Sequence, residues 1–229
     1  NNDNTVKVLE INSTNGSFIL IGEIPFVAHV YDIEIDNNNN IYLAGLHRIY
    51  NNGNWNYSPI LTKVDDNYNL VWEAVMTASD GYLDNVEYDS VNNLLYVTGK
   101  GIGVNFNPLG EAYTLANPDS YGTFFGVYNN QGVMQSVHLF ANSSVNYVEP
   151  IMGMDIMEGR LLLSGSFTGY PDFDVTSEQF YPVQNYSGGY IFNSIYSLEG
   201  GLELTGQYFF SGGYAKNSMY LNGNNLTRI

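Results

Sequence analysis

Apolar residues in this chain recur at every second position in short runs, and no stretch holds the three-to-four spacing of a long helix face. Tyr31-Asp-Ile-Glu-Ile-Asp alternates strictly, four asparagines interrupt it, and Ile41-Tyr-Leu-Ala-Gly45 resumes the apolar run. The same strand, polar turn and strand return in Asn85–Gly99 and in Gly153–Gly165, each ending in a small residue and glycine. Met219-Tyr-Leu-Asn-Gly223 is a fainter copy of the second strand. Between these copies lie hairpins of another kind, Ile60–Val75, Thr123–Val137 and Tyr190–Thr205, with a first copy in Thr5–Leu20. Each is an apolar-rich strand, a turn with Asn or Gly, and a second apolar-rich strand.

Two alternating hairpins with a period of roughly 50 to 65 residues predict four strands per repeat, the pattern of a β-propeller blade. The expected fold is therefore all-β, a propeller of four-stranded antiparallel blades with about four blade equivalents, closed or part of a larger ring. A β-sandwich is the structural alternative. Residues 1–229 read as a single domain or fragment, with units near 31–76, 83–140 and 152–210 and partial units at both ends. Gly45, Gly99 and Gly165 fall where a strand bends or another backbone approaches closely.

Composition narrows the function. The chain carries 7 lysines and arginines against 23 aspartates and glutamates, a net charge of −16. That field repels phosphate backbones and anionic lipid, so nucleic-acid binding and membrane docking are not expected. No apolar run approaches the length of a membrane span, so direct insertion is not expected either. There is no cysteine, which removes disulfides, thiolate metal sites and cysteine nucleophiles. Polar first residues without an initiator methionine suggest a mature or excised piece of a longer protein.

Asp36–Gly45 and Asp89–Gly99 resemble the Asp-x-x-Gly-Asn-x-Tyr-Val-Thr-Gly core of the bacterial SBBP-type β-propeller repeats. Asn105-Phe-Asn-Pro and Asp172-Phe-Asp resemble the Asp-Phe-Asp-Pro segment of related repeats in Bacteroidetes-like surface proteins. Tyr121–Val137 looks like the second hairpin of that family. Asparagines stand where the family has its turn glycine, and the third copy shortens the turn to Glu158-Gly159-Arg160. The resemblance implies secreted or surface-anchored proteins, often in long multidomain chains, with no shared catalytic site.

Glu34, Glu87 and Asp155 fall at nearly equivalent repeat positions when the closing glycines are aligned. On innermost strands they would ring a channel, where converging carboxylates bind Ca²⁺. The other reading is that they face channel water or bond neighbouring repeats. Asp172 and Asp174, with Asn105 or Asn107, are a further cation candidate, and turn capping is their alternative. The segment from His47 to Tyr57 reads as a polar loop that combines aromatic rings with donors. His47, Arg48, Trp55 and Tyr57 are its candidate ligand contacts, and Trp72 reads as core. No catalytic constellation appears among the three histidines or around any serine, so no catalytic residue is named.

The expected function is a non-catalytic binding, scaffolding or adhesion module, extracellular or at the cell surface of a bacterium. Its partner would be a protein or glycan there, or a larger secretion or outer-membrane assembly. A carbohydrate-binding, lectin-like propeller and a polysaccharide-active enzyme are the alternatives, the latter because two carboxylates at the right separation suffice.

Overall fold

The computed structural model describes residues 5–25, 28–51, 53–114, 121–141, 147–148, 151, 153–168, 171–174, 190–199, 203–211, 219–222 and 225–228. Among them there are strands and turns and no helix. Strands β1 (Thr5–Ile11) and β2 (Phe18–Pro25) form a two-stranded antiparallel sheet. Next comes a four-stranded meander of β3 (Ala28–Ile35), β4 (Ile41–Asn51), β5 (Asn54–Val64) and β6 (Leu70–Val75). A second meander follows, of β7 (Asp80–Asp89), β8 (Leu94–Ile102), β9 (Gly122–Asn129) and β10 (Met134–Ala141). In the third, β11 (Tyr147–Val148) and β12 (Gly153–Met157) both pair with β13 (Arg160–Thr168), which continues to β14 (Tyr190–Ser197) and β15 (Glu203–Ser211). Last, β16 (Met219–Asn222) pairs with β17 (Asn225–Arg228) in a separate hairpin.

The two hairpin types read from the sequence are thus the first and second strand pairs of each meander. Register makes the repeats superimposable: Glu34 faces Tyr42 and Glu87 faces Tyr96, three residues before Gly45 and Gly99. Asp155 faces Leu162, three residues before Gly165. Close approach explains two of the glycines. A side chain at Gly45 would run into the His29 carbonyl oxygen, and one at Gly99 into the Tyr82 carbonyl oxygen. Both contacts lie beside bulges, at Tyr31 and Asp84, that bend the first strand of the meander.

Asparagine serves where glycine was expected because it tolerates the left-handed region better than most side chains. Asn39 and Asn93 sit at φ 60° and 57° in equivalent turns. Asp36 and Asp89 hold those turns. The Asp36 carboxylate accepts the Asn38 and Asn40 N–H groups at 2.8 and 2.9 Å, and that of Asp89 accepts those of Val91 and Asn92. The Asn105 and Asp172 side chains likewise accept the N–H two residues on. Their neighbours Phe106 and Phe173 are buried, each offering its carbonyl oxygen to a buried tyrosine, Tyr128 or Tyr196, at 2.8 Å. Asn105 and Asp172 thus cap equivalent turns in two of the repeats.

Near-continuous apolar runs, as in β8 and β9, put buried side chains on both faces, so successive sheets stack face to face with three cores between them. Val6, Val8 and Ile24 join Ile41, Leu43, Ile60 and Val64 in the first gap. Tyr42, Ala44 and Leu61 meet Val86, Leu95, Val97 and Tyr128 in the second. Phe125, Phe140, Leu161, Phe192 and Tyr196 fill the third. Trp72 packs against the second core as expected, and its indole N–H donates to the Asn130 carbonyl at 3.0 Å.

Candidate functional site

The segment His47–Tyr57, expected as a loop, is the far half of two long strands. Strands β4 and β5 have eleven residues each and pair over their whole length. Strand β3 pairs with β4 only as far as His47, and β6 reaches β5 only as far as Ile60. Among the described residues, Arg48–Asn51 and Asn54–Tyr57 therefore pair only with each other and form an arm beyond the sheet. Alternating apolar and polar residues allowed this extension, and the Gly53 turn at φ 87° ends it.

Register sorts the arm into two faces. Tyr50 lies opposite Trp55 and Arg48 opposite Tyr57, so these four share one face, while His47 and Ile49 belong to the other. The Tyr50 and Trp55 ring centroids are 4.8 Å apart, and the Arg48 guanidinium lies 4.4 Å from the centre of the Trp55 ring. Arg48 Nη1 donates to His29 Nε2 at 3.1 Å, which requires the tautomer with the proton on Nδ1. Trp55 is 49% exposed and Tyr50 61%. Arg48 has no carboxylate in ion-pair reach among the described residues.

Three of the four expected ligand contacts thus converge, and His47 does not: it points to the opposite face with a buried, unpartnered Nδ1. Sequence reasoning missed Tyr50 and His29. Period-two alternation through Arg48 and Tyr50 would have found Tyr50 had the segment been read as a strand. His29 comes from the neighbouring strand and has no local signal. The face offers two tilted aromatic rings for stacking, with guanidinium and imidazole groups at its edge.

The acids lie elsewhere. Strands β3, β7 and β12 are the first strands of successive sheets and run beside one another. Glu34, Glu87 and Asp155 occupy matching places on them. Partial burial, then the charges of Glu34, Asp155 and Asp32, pushes the Glu87 carboxyl up to about 8. Glu34 is raised by burial, with smaller contributions from Asp32 and Asp155. Asp32 is also raised by burial, opposed by the Val86 N–H that it accepts at 2.9 Å. Asp84, in the β7 bulge, is pushed up to about 7 by burial, with Lys100 pulling the other way. Yet among the described residues no three His, Asp or Glu side chains gather closely enough to hold one metal ion. The acids are electrostatic neighbours on adjacent strands.

No helix among the described residues is long and apolar enough to cross a membrane. No family model and no curated protein matches the chain.

Proposed function

We propose that this chain is a non-catalytic binding module of a secreted or surface-exposed bacterial protein, built as a β-propeller or an arc of one. It uses the aromatic face of the β4–β5 arm to hold a glycan. The observation that carries this reading is the exposed Tyr50–Trp55 pair with Arg48 stacked on it. Exposed aromatic rings that are already packed against each other lose little conformational freedom when a ligand stacks on them. Sugar rings present C–H faces to such a surface and hydroxyls to guanidinium and imidazole groups at its edge. The propeller reading is supported by successive four-stranded meanders stacked face to face with their first strands side by side, as in an SBBP-type repeat array.

A glycan array followed by titration calorimetry tests the proposal. Trp55→Ala should weaken binding at least tenfold while the melting temperature stays within the range of a surface substitution. Binding indifferent to Trp55, or an array silent with the fold intact, overturns the glycan reading.

A second reading, polysaccharide cleavage, is favoured by one observation. Burial, then the charges of Glu34, Asp155 and Asp32, push the Glu87 carboxyl up to about 8, and a carboxyl raised in this way serves as general acid in glycosidases. Polysaccharide turnover that Glu87→Gln abolishes would establish it.

A further inference from the structure

Cations are few in this chain, and among the described residues most of them stand beside an acid. Lys63 Nζ lies 3.9 Å from the Asp36 carboxylate, and Arg160 donates to Glu158 at 3.0 Å. Lys100 lowers the Asp84 carboxyl against the effect of burial. Lys7 stands opposite Glu23 across β1 and β2. Arg48 is the exception among the described residues, since no carboxylate comes within ion-pair reach of it. With 23 acids to 7 cations, a guanidinium without a carboxylate reflects its surroundings and not a shortage of acids.

The local sequence explains those surroundings. From Asn37 to Val64 there is no aspartate or glutamate, so neither strand of the β4–β5 arm supplies a counter-charge. Asp80 of β7 comes to the base of the arm, where a side chain on its neighbour Gly81 would meet Pro59, but its carboxylate already accepts the Tyr121 hydroxyl. Acids farther off than about 8 Å are screened at 0.15 M salt. The groups that Arg48 does touch are uncharged: the Trp55 ring at 4.4 Å and His29 Nε2, a neutral acceptor, at 3.1 Å. Its Nε is buried with no hydrogen-bond partner. A guanidinium with spare donors holds a carboxylate or sulfate more strongly than a hydroxyl, because hydrogen bonds between opposite charges are the stronger kind.

We infer that the glycan held by the arm is acidic, a carboxylate or sulfate on the sugar pairing with Arg48 while the ring stacks on the exposed aromatic pair. The inference rests on the glycan reading of the arm and adds to it the charge of the ligand.

An array of uronic-acid, sialylated and sulfated glycans beside their carboxyl-reduced or desulfated counterparts tests it, followed by calorimetry on the whole chain. The acidic member of a pair should bind about tenfold tighter than its neutral counterpart. The pair that responds identifies the anionic group. Arg48→Gln should abolish the difference, and Arg48→Lys, which keeps the charge and loses the planar fork, should retain part of it. Raising salt from about 0.05 M to about 0.5 M should weaken the acidic glycan on the wild type and not on Arg48→Gln. Loss of the cation–π contact alone would weaken both members alike, so the ratio within a pair separates charge pairing from support of Trp55. Equal or tighter binding of the neutral member, lost in Trp55→Ala, overturns the inference and leaves the glycan reading standing. An acidic preference unchanged in Arg48→Gln also overturns it, and silence for every glycan overturns both.

Discussion

Glu87 illustrates how a single side chain is governed by neighbours far away in sequence. Asp32 and Glu34 act on it from β3 and Asp155 from β12, in addition to its own burial. A carboxyl whose folded pKa lies above its unfolded value binds more protons in the native state. Its stabilising contribution is therefore complete below about pH 4.5 and fades as pH rises through about 8. The melting temperature should fall between these limits, and Glu87→Gln should flatten the fall. At pH 8.5 the variant should melt above the wild type, by about 2–4 °C. Parallel pH profiles that keep the wild-type slope would show that the group titrates elsewhere. Gly132 makes a steric prediction. Its φ of +77° and the Trp72 ring against it both oppose a methyl group. Gly132→Ala should cost about 1–3 kcal/mol in urea unfolding, whereas the same change at the open Gly53 meets only the backbone penalty.

Between elements, the sheets are tied by polar bonds as well as by their cores. The Val86 N–H of β7 donates to Asp32 of β3 at 2.9 Å. Asn85, which holds the Asp32 position one repeat later, donates through Nδ2 to Thr98 Oγ1 at 2.8 Å and to the Ile151 carbonyl at 2.9 Å. The same repeat position thus links β3 and β7, each toward the sheet that follows it. Asn85→Ala leaves the partly buried Ile151 carbonyl without this donor and should cost about 1–3 kcal/mol. Fluorescence and far-UV melts of that variant should separate if the bond also couples the sheets, and should remain coincident if cooperativity comes from the cores alone. At this scale the sequence was most legible. Strand pairs, turns and the equivalence of Glu34, Glu87 and Asp155 followed from alternation and the closing glycines. The β4–β5 arm was not legible, because a polar, asparagine-rich stretch looks the same in a loop as in a hairpin with no covering sheet.

For the molecule as a whole, −16 charges on 229 residues mean self-repulsion in the compact state. Salt shortens the screening length from about 30 Å at 0.01 M to about 8 Å at 0.15 M. The melting temperature should rise over that range, while an uncharged osmolyte series at matched osmolality separates screening from exclusion effects. A flat salt response would mean that the carboxylates are already too far apart, or too protonated, to repel.

The sequence by itself determined the class of structure. Period-two alternation demands strands, and a recurring strand–turn–strand pattern demands repeats that bury one another, because a lone meander leaves apolar residues exposed on both faces. It also placed three acids at one repeat position. Only the tertiary structure decided what those placements mean. It set the acids on adjacent strands within electrostatic reach of one another, since the distance between strands of different sheets depends on how the cores between them pack. It also brought His29 to Arg48 and left Tyr50 and Trp55 uncovered, because cross-strand register and the reach of a neighbouring strand are absent from any local pattern.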